Sequence, residues 1–586
     1  MPEQSTPSPI ELMLAGGVDL VMAGKAGRGP GGLPKDCPVI PVGIDGNVYY
    51  YLDATRQLRA LDAGRHNKLW LQSLFGHEIG KLYEYWPRLK YNQTEKKWDT
   101  TGWRPDEASE ALMSAAAAAG IWNGLDRVRG SGAWADKGRL VVHCGDAVLI
   151  DGVAHAPGRI GEYVYPSGRK GPRPATGALL TPQPVRELLD LLESWNWKRG
   201  AMDARLLLGW MGAAWLGGAL KWRPVAWISG GKGTGKSTLH DVIKHLFGGA
   251  LVQVSDSSAA GIWQRLQYSV WPVAFDEAEP EQDNRNIQAV IKLARLAASG
   301  GLILRGSQDH QAIEFVARSC FLFSSILLPP LLGQDRSRMA ILELGELAPG
   351  PMLNIDADRL AQTGNLMLRR LVDGWPRLQE VLAFYHEELA RLGHSARGCD
   401  VFGTLLACAD VMLSDDMPCT DDVEGWIGDF RASGQGEWAD DEPDESRCLS
   451  HLLTSPIEPY RGGVKHVMAE WVVKAAPVGE GSEDEDALEA NRVLGTYGLK
   501  VVAPRMLAVA NYHQQLGGIY RGTHWAGRSG SQGVWVQALR RVPGALAAPK
   551  PIWFSGAVAR ATLLPLAGIL PSYAEVVAAE GQYRDR

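Results

Sequence analysis

The sequence predicts an α/β fold class: strands and helices built around a glycine-rich loop, with an α+β domain before it and a smaller module after it. Three observations predict this. Residues 224–249, PVAWISGGKGTGKSTLHDVIKHLFGG, set a glycine-rich loop between a short apolar strand and a helix. Residues 271–279, WPVAFDEAE, give a second apolar strand that ends in an acid pair. Residues 317–330, ARSCFLFSSILLPP, give a third strand with a polar end.

Length and composition bound the rest. The 586 residues predict three to five domains, at roughly 100–200 residues each. Hydrophobic residues at 45% and charged residues at 22% exclude a mostly disordered chain, a collagen-like chain and a coiled-coil rod. The net charge of −6 argues against a surface coated in cations, so any nucleic-acid contact must be local. The 7 cysteines form no CxxC pair and have no histidine at zinc-finger spacing. Reduced thiols and no structural zinc are expected. The N-terminus, MPEQSTPSPI, is polar and unlike a signal peptide. The uncharged run Leu206–Leu220 falls short of the ~20 residues that cross a bilayer and reads as a buried helix. The expectation is a cytoplasmic protein with no membrane partner.

Along the chain, residues 1–36 read as a flexible arm rich in Gly and Pro. Residues 37–200 read as an α+β domain. CPVIPVG and GNVYYYLDA look like strands around a turn at Asp45-Gly46, and RQLRALDAGRHNKLWLQSLFG carries helical spacing. Pro105 opens a helix that Gly120 ends, with acids in its first turn. RLVVHCGDAVLIDG and EYVYPSG alternate like strands. His143 and Asp146 flank Cys144, but plain sheet residues explain them. Residues 182–198 and 204–222 read as helices, and the Ala/Gly faces of the second allow close packing. Residues 201–345 form the nucleotide-binding core. Residues 346–436 form a helical lid and linker. Residues 437–586 form a C-terminal module whose acidic stretches, 437–445 and 480–489, read as solvated loops.

The phosphate loop carries the strongest signal. Gly230, Gly231, Lys232, Gly233, Thr234, Gly235, Lys236, Ser237 and Thr238 span the full G-x-x-x-x-G-K-S pattern. Glycines let successive backbone N–H groups turn toward a triphosphate, and the helix N-terminus adds partial positive charge. Lys236 reaches the β- and γ-phosphates, and the Ser237 hydroxyl binds Mg²⁺. ATP and Mg²⁺ are therefore the expected ligands. The acid pair completes such a site: Asp276 would hold the metal through water, and Glu277 would be the general base for an attacking water. Ser324 or Ser325, at the end of the third strand, would sense the γ-phosphate, with a plain core strand as the bland alternative. Arg336 and Arg338 precede a further apolar strand in QDRSRMAILEL (334–344). One of them, Arg338 by preference, would reach a neighbouring subunit's site. GGLILRGSQDHQAIEF (300–315) reads as two strands around a polar turn, with Arg305 and His310 at the tip.

Phosphate loop, acid pair, hairpin and polar-ended strand follow one another within Gly230–Ser325. That order resembles the superfamily-3 type of AAA+ helicase found in viruses, phages and plasmids. The stretch from SDSSAAGIWQRLQ (255–267) to RSRMAILEL also resembles a group of uncharacterised prophage ATPases, in which a β-rich domain precedes the ATPase. The resemblance covers residues 200–400. It implies an AAA+ P-loop NTPase core that assembles as a homo-hexameric ring on single-stranded or forked DNA. The hairpin, with Arg305 and His310, would line the pore. Ser324 would be the polar sensor, where many relatives carry Asn. No primase motif is present, so a separate primase or origin-binding protein is an expected partner.

In the C-terminal module, residues 507–545 end in a helix, Gly533–Arg541, with Arg540 and Arg541 at its end. Strands follow at 551–566. This reads as winged-helix-like and DNA-binding. No Asp or Glu occurs between residues 507 and 570. Trp525, Trp535 and Trp553 read as core residues that could otherwise stack on bases. The expected function is an ATP-dependent DNA helicase or translocase of phage or mobile-element replication. The alternative is an ATP-switched assembly or defence ATPase that unwinds nothing. A small-molecule kinase leaves the large flanking domains unexplained.

Overall fold

A computed structural model describes residues 32–177, 181–279, 284–306, 312–329, 331–347, 355–420, 443–460, 465–480, 484–527 and 532–569. The chain divides into two units, Met1–Ala432 and Ser433–Arg586. Of the expected arm, residues 1–31 lie outside the described residues, and Leu33 is already part of a hydrophobic core.

In the first unit, strands Ile40–Asp45 and Val48–Leu52 pair antiparallel and close at Asp45↔Val48, the expected turn. Leu58–Asp62 adds a third strand. Helical spacing predicts a helix there, but cross-strand pairing with Val48–Leu52 overrides that weak local preference. The helix comes only at Lys68–Phe75, where the Asn67 side chain accepts from the N–H groups of Leu69 and Trp70. A second hairpin, Pro87–Asn92 with Lys97–Trp103, has no counterpart in the sequence reading. Pro105–Ala118 is the expected helix, with Pro at its start, acids in its first turn and its Ala/Leu face buried. A four-stranded antiparallel sheet follows, starting at Gly132–Asp136 and Arg139–His143. His143 is a core residue of that sheet, hydrogen-bonded to the Arg129 carbonyl, and Asp146 pairs with Arg173.

The elements that build the site are numbered from here in chain order: α1 (Gln183–Glu193), α2 (Ala201–Leu216), β1 (Val225–Gly230), α3 (Lys236–Phe247), β2 (Val252–Val254), α4 (Ala259–Leu266), β3 (Val273–Phe275), α5 (Arg285–Ser299), β4 (Leu302–Gly306), β5 (Ala312–Val316), β6 (Phe321–Ser325), β7 (Met339–Leu344), α6 (Ala357–Asp373), α7 (Trp375–Arg391) and α8 (Thr404–Leu413). β2, β3, β6, β1 and β7 form one five-stranded sheet in that order, and every neighbouring pair is parallel. β4 and β5 form a separate antiparallel hairpin from Leu302↔Val316 to Gly306↔Ala312.

A parallel sheet is buried on both faces, so its strands carry apolar residues at every position. In β1, Ala226 and Ile228 face one core, which runs from Ala133 through Leu206 and Leu322 to Leu405 and Leu413. Val225 and Trp227 face a second core with Phe275, Ile291, Phe321 and Phe323. Trp227 stacks on Phe323 with ring centroids 4.7 Å apart. Truncating a buried aromatic of this kind to Ala costs about 3–5 kcal/mol. On the first face α2 lies against α8. A Cβ on Gly209 would stand 2.0 Å from the Leu405 carbonyl oxygen, so this close approach admits glycine alone. The expected small-residue face of this helix is therefore its packing face. The described residues contain no helix long and apolar enough to cross a membrane.

In the second unit, helices Asp444–Thr454, Met468–Ala475 and Glu485–Thr496 precede the strand pair Leu499–Val502 and Met506–Ala510. Ala561–Pro565 and Leu546–Ala547 extend that pair to four antiparallel strands. Three helices followed by a hairpin thus occur earlier than the expected winged-helix-like segment. The helix expected over Gly533–Arg541 spans Trp535–Leu539, and a hairpin, Ile552–Phe554 with Ala557–Ala559, follows it.

Candidate nucleotide site

The glycine-rich loop leaves the C-terminal end of β1 and enters α3. Gly233 and Gly235 take left-handed φ of +78° and +79°, which glycine adopts without strain. Gly230 is needed for close approach: a Cβ there would lie 2.9 Å from the Leu344 carbonyl oxygen and from Thr234 Oγ1. The Thr234 hydroxyl donates to the Gly231 carbonyl at 3.0 Å. Lys236 Nζ donates to the carbonyls of Gly230 and Gly231, closing the loop over itself. Behind the loop, the buried Trp195 donates Nε1–H to the Gly235 carbonyl at 3.2 Å.

β3 ends beside the loop. The Asp276 backbone N–H donates to Val254 at 2.9 Å and fixes the acid at the sheet edge. The Glu277 N–H donates to Asp276 Oδ1 at 3.0 Å, and Glu277 is exposed with φ +60°. A left-handed non-glycine residue costs of order 1–3 kcal/mol and clusters at functional sites. The Glu279 carboxylate accepts the N–H groups of Ile326 and Leu327, tying the acid loop to the end of β6.

β6 lies between β1 and β3, so its end faces both the loop and the acids. The two serines point to opposite faces, as strand alternation requires. Ser325 Oγ accepts from Trp227 Nε1 at 2.8 Å, on the aromatic side. Ser324 Oγ donates to Asp276 Oδ1. The geometry therefore joins Ser324, and not Ser325, to the acid pair.

Sequence reasoning missed the residue behind Ser324. His240, on α3 one helical turn beyond Ser237, places Nε2 2.8 Å from Ser324 Oγ and 3.7 Å from Asp276 Oδ1. Burial pushes its imidazole below the usual range, against the pull of Asp276. A polar residue one turn into an amphipathic helix carries no sequence signal of its own.

The donor set fits a magnesium nucleotide. Ser237 is exposed at the start of α3, and the Asp276 carboxylate is partly exposed within reach of that helix. Hydroxyl, carboxylate and phosphate oxygens are hard ligands that suit Mg²⁺. The loop N–H groups and the α3 N-terminus suit the phosphates.

The remaining predicted residues lie elsewhere. β7 runs parallel to β1, with Met339 opposite Val225 and Leu344 opposite Gly230. Arg336 and Arg338 therefore sit at the far edge of the sheet from the loop. Arg338 donates to the Gln334 carbonyl, and its guanidinium stands 5.8 Å from the Trp222 ring centroid. Arg305 lies in β4 opposite Ile313. His310 lies outside the described residues. In the second unit Arg540 and Arg541 are exposed. Trp525 and Trp535 are core residues, while Trp553 is exposed with Lys500 Nζ 5.8 Å from its ring centroid.

No family model and no curated protein matches the chain. Among solved structures it is similar to the one titled "SCCmec type IV Cch - active helicase", at 12% identity and TM-score 0.46, over 90% of this chain and 94% of that one. It is also similar to the apo structure of the NrS-1 C-terminal region, at 12% identity and TM-score 0.34, over 89% of this chain and 95% of that one.

Proposed function

We propose that the chain is an ATP-dependent DNA helicase or translocase, working as a hexameric ring on single-stranded or forked DNA in phage or mobile-element replication. One observation carries the reading: the phosphate loop, Asp276, Glu277 and Ser324 converge at one sheet edge, and the β4–β5 hairpin falls between the acid strand and β6 in the chain.

The loop N–H groups and Lys236 hold the triphosphate, so Lys236 must leave the Gly230 and Gly231 carbonyls when nucleotide binds. Ser237 and Asp276 would hold Mg²⁺, which when bound neutralises charge on the β- and γ-phosphates. Glu277 orients a water and accepts its proton as the water oxygen bonds to the γ-phosphorus. The bond from that phosphorus to the β–γ bridging oxygen breaks, and ADP leaves with the electron pair. Ser324 carries a hydroxyl proton toward the same acids.

Arg336 and Arg338 stand a whole strand away from their own loop, about 17 Å at ~3.3 Å per residue. An arginine there does not reach its own loop, and in the proposed ring it would serve a neighbouring subunit's phosphates. Arg305 in the hairpin would meet the strand in the pore.

The test is steady-state ATPase with and without single-stranded DNA, together with unwinding of a forked duplex. Stimulation by DNA is expected, and Arg305→Ala should keep ATPase while losing unwinding. ATPase indifferent to nucleic acid, with no unwinding, would overturn the helicase reading in favour of an ATP-switched assembly protein.

A further inference from the structure

His240 is the one group at this site whose presence packing does not explain. It is 2% exposed, on the helix face it shares with Leu239, Val242 and Ile243. Its Nδ1 is buried and has no hydrogen-bond partner. A buried polar atom left unpaired is destabilising, and a leucine of similar bulk would avoid that cost. The other nitrogen is engaged. The Ser324 hydroxyl has a single proton, and it goes to Asp276 Oδ1. Ser324 Oγ must therefore accept from His240 Nε2, 2.8 Å away. This puts the imidazole proton on Nε2 and leaves Nδ1 bare, matching the unpartnered atom.

We propose that His240 is a positioning residue of the nucleotide site, acting through Ser324. Its Nε2–H occupies a lone pair of the serine oxygen, so the hydroxyl proton can point only outward, at Asp276. Ser324 alone offers one donor and rotates freely about its C–O bond. With His240 behind it, Ser324 becomes a fixed donor. Asp276 is thereby held toward α3, where Ser237 lies one turn away. The role rests on the ATPase reading above, and concerns how the site is kept in register rather than which groups react.

The test compares three substitutions under saturating Mg-ATP. His240→Gln can return an N–H to the Nε2 position and should keep kcat within about threefold of wild type. His240→Leu and His240→Asn remove a donor at that position and should lose kcat by about 10–100-fold, as partners that orient a site's ligands do. KM for ATP should change less than kcat, because loop and lysine are untouched. His240→Leu should melt no lower than wild type, since the unpaired Nδ1 is gone. In the Ser324→Ala background, His240→Asn should cause no further loss, because the path runs through that hydroxyl. Should the Leu variant fail to fold, this pair decides alone. Wild-type kcat in the Leu or Asn variant, equal losses with Gln and Asn, or additive losses with Ser324→Ala would each overturn the role. A wild-type protein without lysine-dependent ATPase sinks the functional reading instead, so the two failures are distinguishable.

Discussion

The two edges of the parallel sheet use charge in opposite ways. At the edge where β1, β3 and β6 end, polar groups face outward. Glu277 and Ser237 are exposed, and Asp276 is partly so. At the opposite edge two arginines are turned on the protein itself. The guanidinium of Arg223, 3% exposed, donates to the carbonyls of Ala297 and Leu220. Arg295 pairs with the buried Asp335 at 2.8 Å. Parallel connectivity explains the asymmetry. α3 begins where β1 ends, so the free N–H groups of its first turn gather at one edge and leave it an anion site. Carbonyl-rich helix ends and loops gather at the other and take up the arginines.

The largest test of that contrast is Lys236→Ala. On the outward-facing edge a cation should matter to chemistry and little to folding. Turnover is expected to fall by about 10³-fold, the scale of losing one preorganised charge contact, while the melting temperature moves by only a few degrees. ATPase at wild-type rate in this variant would break the site assignment altogether.

The mirror experiment is Arg223→Ala. Burial pushes this guanidinium down to about 10, still charged at neutral pH. Removing it strands the Leu220 carbonyl and leaves the Ala297 carbonyl with the Gly300 N–H at 3.2 Å. A loss of about 3 kcal/mol in unfolding free energy is expected from charged hydrogen bonds left unmade. ATPase per folded molecule should stay unchanged. Lower turnover at full stability would mean that Arg223 itself acts on the site.

The outward-facing edge was the more legible in sequence, and the reason is local geometry. Gly230 to Thr238 need their glycines at fixed offsets, and the acids must follow an apolar strand, so both show as short patterns. The β4–β5 hairpin also shows, because two apolar runs flank one polar turn. What stayed hidden depends on distant partners. That β6 inserts between β1 and β3 is set by crossovers rather than by any residue of β6. That placement is what puts Ser324 on Asp276 and Ser325 on Trp227. His240 and Trp195 reach the site from a helix face and from a loop before α2. Leu58–Asp62 reads as helix because its apolar spacing suits both periods, and only its pairing with Val48–Leu52 decides. The hairpin Pro87–Trp103 went unseen because most of its residues are exposed and show no alternation.

The finest test asks where the outward-facing edge stops. Trp195 backs the loop with one hydrogen bond to the Gly235 carbonyl, and that carbonyl also accepts the Leu239 N–H at 3.0 Å. Trp195→Phe keeps most of the ring bulk and loses only the shared donor. The left-handed Gly235 then has a looser wall behind it, since the indole Nε1 stands 2.7 Å from where a Cβ would be. One neutral hydrogen bond contributes about 1 kcal/mol. If the indole braces the loop in its nucleotide-holding shape, that energy should appear in binding, as a KM for ATP raised about fivefold. Turnover at saturation should stay within about twofold of wild type, because neither acid nor Lys236 has moved. A tenfold loss of kcat with KM unchanged would instead place the tryptophan among the groups that act in the transition state. The edge would then extend through the loop to the segment before α2, and the division between a reactive front and a structural back would lie one layer deeper.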